Sequence, residues 1–303
     1  MTNLKVNIAG VSFKNPVITA SGCFGFGREY ECMYPLERLG GISLKGMTYN
    51  EKLGNPPPRI AETPSGMLNS VGLQNPGVEH FLEHDMPYLA KQDTVKIANI
   101  AGSSIEDYCA IAERLSDSEI DMFELNISCP NVKQGGAAFG TSCESAERVV
   151  KEVRKYAKKP MIVKLSPNVT DIVSIAKAVE AQGADAVSLI NTLLGMRIDI
   201  NTRRPILKNN VGGLSGPAIF PVAVRMVWQV ANAVKVPVIG MGGIEKWQDA
   251  IEMMMAGANA IQIGAAMFYN PMAPVQVIEG MRKWLEDNHI EDINEIVGSV
   301  RPW

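Results

Sequence analysis

A (β/α)8 barrel (a TIM barrel) is the fold class this sequence predicts, and three observations predict it. Eight short apolar runs are rich in β-branched residues, amphipathic segments separate most of them, and polar residues or glycines gather where the runs end. Such barrels typically occupy about 250 residues, and the chain has 303. The rival is an open doubly wound sheet, but no Gly-x-Gly-x-x-Gly sits between a strand and a helix; Gly22, Gly25 and Gly27 have the wrong spacing. The length left over fits a hairpin-like amino-terminal cap and two long loops, all within a single domain spanning residues 1–303.

Taken in order, the strands are expected at Pro16–Ala20, Gly41–Lys45, Val95–Asn99, Met122–Ile127, Met161–Leu165, Ala186–Ile190, Pro237–Gly240 and Ala260–Gly264. Helices are expected at Ser104–Leu115, Ser142–Ala157, Asp171–Gln182, Pro217–Val234 and Lys246–Ala256. Ser142 and Thr170-Asp171 have the side chains that cap helix starts, and Gly183 and Gly257 suit helix ends. One long loop, Met47–Asp93, follows the second strand; it carries Pro56-Pro57-Pro58 and a helix at Glu79–Ala90. The other, Thr192–Ser215, follows the sixth. Loops of this length in a compact barrel serve as lids or binding walls.

Composition narrows the function classes. Hydrophobic residues make up 46% of the chain, ample for a core, and a formal charge of -3 gives no basic footprint for nucleic acid. No apolar run approaches the ~18 residues of a membrane span, and the amino terminus lacks the apolar core of a signal peptide. Cysteines 23, 32, 109, 129 and 143 are scattered, with no C-x-x-C spacing, so no disulfide framework, metal site or iron–sulfur centre is expected within the chain. A reduced, cytoplasmic protein is the expectation.

The most informative stretch is Glu124-Leu125-Asn126-Ile127-Ser128-Cys129-Pro130-Asn131. It reads as a buried strand that Pro130 must end, followed by the loop glycines Gly135-Gly136. It is either a reactive strand end, where barrels place their chemistry, or a strand end with an incidental buried cysteine. The other strand ends repeat the pattern, with Ser21, Lys45-Gly46, Asn99, Lys164, Asn191-Thr192, Gly240–Gly243 and Gly264-Ala265. Glycines after strands seven and eight, with Gly216 and a helix starting near Glu245, suit a phosphate cradle, although ordinary βα turns also use glycine. Lys45 and Lys164 are costly to bury without an anion or an electron-rich ring; snorkelling or a core salt bridge is the alternative. Asn69, Asn99, Asn126 and Asn191 each carry a donor and an acceptor, which matches a uracil-like edge.

Together these residues resemble a known family. Ala20–Gly27, Met67–Gly77, Asn126–Asn131, Val163–Asn168, Ile190–Thr192, Gly212–Gly216 and Gly240–Gly243 resemble class 1 dihydroorotate dehydrogenases, in matching order over nearly the whole chain. The pattern is closest to the class 1B catalytic subunit. The resemblance implies a TIM barrel that binds FMN and oxidises dihydroorotate to orotate, with Cys129 as the general base; the membrane-associated class carries serine there. It implies substrate contacts from Lys45, Asn69, Ser70, Val71, Gly72, Leu73, Asn126, Asn191 and Thr192. It implies FMN contacts from Ser21, Lys45, Gly46, Asn99, Asn126, Lys164, Ile190, Gly216, Gly242, Gly243, Gly264 and Ala265, the last standing where many relatives have a hydroxyl. It further implies NAD as terminal acceptor through a partner subunit carrying FAD and a 2Fe-2S cluster, in a heterotetramer built on a homodimer of this chain. The competing readings are a fumarate-reducing class 1A homodimer, a flavin barrel acting on another pyrimidine, and a redox-inactive phosphate-binding barrel.

Overall fold

The computed structural model describes residues 2–127 and 139–303. Eight strands close into a barrel: β1 (Val17–Thr19), β2 (Gly41–Ser43), β3 (Val95–Ile100), β4 (Met122–Asn126), β5 (Met161–Lys164), β6 (Ala186–Leu189), β7 (Val238–Met241) and β8 (Ala260–Ile263). Each pairs in parallel with its neighbours in chain order, and β8 closes on β1. All eight fall within two residues of the apolar runs that predict them. Register sets the site: Asn99 lies opposite Glu124, Asn126 opposite Lys164, and Lys164 opposite Ser188, so polar groups of four strands sit at similar heights.

The helices form where capping chemistry and apolar stripes coincide. Ile105–Ser116 starts at Ser104, whose hydroxyl accepts from the Asp107 N–H while the Asp107 carboxylate accepts from the Ser104 N–H, a reciprocal capping box. Cys143–Arg154 starts at Ser142, and Ile172–Ala181 at Asp171, whose carboxylate accepts from the N–H groups of Val173 and Ser174. Phe220–Ala231 follows a 3-10 turn at Pro217–Ile219, and Trp247–Met255 precedes β8. Their inner stripes, such as Ile111 with Leu115 and Val149 with Val153, are fully buried against the barrel. In the expected Glu79–Ala90 helix the chain winds from Val78 to Leu89 with a widened π turn at Phe81–Asp85. Pro87 lacks the N–H that a regular helix would give to the Glu83 carbonyl, which accounts for the widening. The sequence reading names no helix near the carboxyl end, where the structure has Ala273–Asp287. Val277, Met281 and Leu285 recur every fourth residue there and are fully buried, so the periodic signal was present.

The amino-terminal cap is the expected hairpin, Val6–Ile8 paired antiparallel with Val11–Phe13. Its Phe13 ring packs where a side chain on Gly41 would stand, closing the barrel bottom. The two long loops, read separately from the sequence, join into one structure. Leu193–Gly195, Gly212–Ser215, Gly66–Asn69 and Ile60–Thr63 form a four-stranded antiparallel sheet over the carboxyl mouth of the barrel. No helix among the described residues is long and apolar enough to cross a membrane.

Gly280 lets the last helix approach the one before it, because a Cβ at that position would lie 2.2 Å from the Trp247 ring. Gly280→Ala should gain about 1 kcal/mol in helix propensity but lose about 1–3 kcal/mol to overpacking. The expected result is a lower Tm in thermal unfolding; an unchanged or raised Tm would contradict this packing.

Candidate active site

A cavity opens at the carboxyl ends of the barrel strands, beneath the four-stranded roof. Its wall gathers Ser21, Lys45, Gly46, Asn69, Val71, Gly72, Leu73, Asn99, Asn126, Lys164, Ile190, Asn191, Thr192, Gly216, Gly242, Gly243, Gly264 and Ala265, so residues far apart in the chain meet as the strand-end pattern predicts. Ser70 does not line it. In an extended segment successive side chains point opposite ways, and with Asn69 and Val71 facing the cavity Ser70 turns behind the wall, 3% exposed. Its backbone is tied there, the N–H donating to the Arg59 carbonyl and the carbonyl accepting from Asn55. Cys129 lies outside the described residues, as do Ser128, Pro130 and Asn131.

The floor holds a residue to which the sequence reading gave no role. Glu124 is completely buried inside the barrel. Its Oε1 accepts from Ser188 Oγ and Gln262 Nε2, each at 2.8 Å; its Oε2 accepts from Ser43 Oγ at 2.8 Å and Asn99 Nδ2 at 2.6 Å. The Lys164 ammonium stands 4.0 Å from Oε2. Burial pushes the Glu124 carboxyl up, but the Lys164 charge and the bonds from Asn99, Gln262 and Ser43 outweigh it and hold the group below the ordinary carboxylate range. A charged residue in the middle of the apolar run Met122–Asn126 was the available signal: such a residue needs partners on other strands.

The cavity wall carries two cations. Lys45 is the second cation; burial lowers its pKa below the ordinary lysine value, Cys23 opposes that shift and Arg59 adds to it. No carboxylate lies within salt-bridge distance of Lys45 among the described residues. The nearby Cys23 thiol is pushed up to about 11 by burial, with Lys164 and Lys45 pulling it back. At neutral pH it is a thiol and therefore a poor base or nucleophile. Asn168 pins the loop after β6, donating to the Thr192 carbonyl at 3.0 Å and accepting from the Leu194 N–H at 2.9 Å. Gly213 leaves the Thr192 hydroxyl its space, since a Cβ there would sit 1.9 Å from Oγ1.

At the ends of β6 and β7 the backbone itself forms the wall. Gly216, Gly242 and Gly243 have φ of 101°, 121° and 78°, conformations that disfavour any side chain. A Cβ on Gly243 would lie 2.8 Å from the Gly216 carbonyl, so these loops touch without side chains between them. The helix expected near Glu245 begins at Trp247, and its end is not open to an anion as the sequence suggests. The Asp249 carboxylate already accepts from the N–H groups of Glu245 and Lys246, and its charge would oppose another anion.

Comparison with known proteins agrees over the whole barrel. Residues 3–285 match the family described as dihydroorotate dehydrogenase. The chain is 59% identical over 298 residues to the dihydroorotate dehydrogenase B (NAD(+)), catalytic subunit, of Alkaliphilus metalliredigens, covering 98% of this chain and 99% of that protein. Proteins of the same description from Thermoanaerobacter pseudethanolicus and Phocaeicola vulgatus are 56% and 55% identical, each over 99% of both chains. With its barrel, its strand-end amides and its paired lysines in one cavity, the chain belongs to the dihydroorotate dehydrogenase family.

Proposed function

We propose that this chain is the FMN-binding catalytic subunit of an NAD-linked dihydroorotate dehydrogenase, oxidising (S)-dihydroorotate to orotate in pyrimidine biosynthesis. The observation that carries the reading is one cavity holding two lysines and four asparagines, Asn69, Asn99, Asn126 and Asn191, under a roof built from both long loops. Residues 1–303 act as one cofactor-binding unit, and the protein works in the cytoplasm.

The residues present fit FMN. Gly216, Gly242 and Gly243 line the cavity with bare backbone, since a Cβ at each would strike Gly66, Ala223 or Phe220 packed against them, and Gly264-Ala265 extends that wall; backbone N–H groups along such a wall suit a phosphate. The buried Asn99 Oδ1 has no hydrogen-bond partner among the described residues, as expected of an acceptor that meets a ligand. Ser21, Lys45, Gly46, Asn126, Lys164 and Ile190 complete the cofactor set. When bound, FMN supplies the two-electron acceptor for the hydrogen on C6 of dihydroorotate.

The chain's own residues do the rest. Lys45 holds the substrate carboxylate, while Asn69, Asn126, Asn191 and Thr192 pair with the ring amides and the Val71–Leu73 segment closes over the ring. Cys129 takes the proton from C5, which completes the C5–C6 double bond. The roof sheet keeps water from the reacting carbons. NAD has no fingerprint motif in this sequence, so electrons leave through a partner subunit with FAD and a 2Fe-2S cluster, in a heterotetramer of two catalytic and two electron-transfer chains around a catalytic homodimer.

The test is a coupled assay. Dihydroorotate and NAD with this chain alone should give no NADH; adding the FAD/2Fe-2S subunit should give orotate and NADH in equal amounts. Efficient fumarate reduction by the isolated chain would replace this reading with a fumarate-linked homodimer. Cys129→Ser should retain FMN but lose about 10²–10⁴-fold in turnover near neutral pH, the typical contribution of a general base; near-normal turnover would remove Cys129 from that role. Lys45 must be charged to hold the carboxylate, so orotate binding is full below its lowered pKa and lost as pH rises through it. The orotate Kd should therefore begin to rise at a pH below the ordinary lysine value of 10.5, and Lys45→Met should flatten that rise; a flat profile in the parent protein would contradict the assignment.

A further inference from the structure

Barrel interiors are normally filled by branched apolar side chains in layers of four, each layer supplied by alternate strands. Here the even strands β2, β4, β6 and β8 supply Ser43, Glu124, Ser188 and Gln262, each no more than 1% exposed. One layer of this barrel is therefore polar throughout. Asn99 from β3 and Lys164 from β5 join it through the same carboxylate.

The hydrogen-bond count constrains how these groups face. An ionised carboxylate only accepts, with room for about four bonds, and Glu124 receives two on each oxygen. Asn99 and Gln262 must therefore present their NH2 groups to Glu124 and turn their oxygens away from it. Both oxygens, Asn99 Oδ1 and Gln262 Oε1, are buried without a hydrogen-bond partner among the described residues, and both residues line the cavity. A Cβ on the cavity residue Gly46 would lie 2.9 Å from Asn99 Oδ1, so that oxygen faces the cavity wall. A layer that served packing alone has no reason to leave two buried acceptors without donors at the edge of a cavity.

Resting on the FMN reading above, we propose that Glu124 is a positioning residue for the cofactor and that Gln262 is a cofactor-binding residue. Glu124 fixes the two amides so that their oxygens meet N–H and hydroxyl donors of FMN, and it supplies the counter-charge of Lys164. Ser43 and Ser188 hold the carboxylate in place and touch no ligand. The even strands carry the same pattern in sequence: Ser43, Glu124, Ser188 and Gln262 are their polar residues, joined in β4 by Asn126 at its end.

Glu124→Gln tests this, because it keeps the shape but puts an NH2 where one acceptor oxygen stood. Either Asn99 or Gln262 must then flip its amide, and Lys164 loses its counter-charge. Flavin-fluorescence titration of apoprotein with FMN should show a Kd raised by about tenfold or more, the worth of one net hydrogen bond. The FMN midpoint potential should shift upward, since the Lys164 charge is no longer offset. Should that variant fail to fold, Gln262→Met decides: FMN Kd raised by about tenfold, against Lys283→Ala, an exposed change on the last helix, which should bind FMN as the parent does. Parent-like Kd and potential in Glu124→Gln, or parent-like Kd in Gln262→Met, would overturn the proposal. A Tm loss in both with FMN affinity unchanged would do the same, by reducing the layer to a structural one. Failure of the parent chain to bind FMN would instead overturn the functional reading on which the proposal rests.

Discussion

A single buried carboxylate organises this barrel. Moving Glu124 out of water costs several kcal/mol unless the charge is matched and its lone pairs filled. The protein meets that demand with four hydrogen bonds and one cation, drawn from β2, β3, β5, β6 and β8. Each of those strands must carry a polar residue at the right height, so the parallel register and the polar floor of the cavity are parts of one arrangement. The placement of Lys164 beside the carboxylate and the facing of Asn99 both follow from it.

Above that floor the work divides between side chains and bare backbone. On one side, Lys45, Lys164 and the strand-end asparagines present charge and paired donors and acceptors. On the other, Gly216, Gly242 and Gly243 leave the backbone exposed, in conformations and at separations that exclude side chains. The roof sheet connects the two, since its central strands end at Asn69 and Ser215, next to the amide side and the glycine side respectively. A cavity that combines cations and amides with bare glycine backbone is suited to a planar anionic ring lying beside a phosphate-bearing group.

Much of this was legible in the sequence because local rules wrote it. β-Branched runs marked the strands, Ser104, Ser142 and Asp171 marked helix starts, and the strand-end residues marked the cavity. What was not legible depends on partners distant in the chain. Pairing of Gly66–Asn69 with Gly212–Ser215 turned two loops into one sheet, and no local pattern in either segment specifies the other. Ser70 shares the motif of its neighbours in sequence, yet strand alternation turns its side chain behind the cavity wall. Reading only strand ends passed over Ser43, Glu124, Ser188 and Gln262, whose importance lies one layer below the mouth. The Asp249 carboxylate occupies a helix end that glycine spacing alone would leave open to phosphate.

The account stands or falls on whether this cavity holds a flavin that dihydroorotate reduces. The direct measurement is an anaerobic absorbance spectrum of the purified, FMN-reconstituted chain before and after adding (S)-dihydroorotate. The account predicts a bound-flavin band that bleaches on addition, with orotate formed in proportion. A flavin band that persists would keep the cofactor and remove the substrate, and the absence of any bound flavin would contradict the reading of the cavity itself.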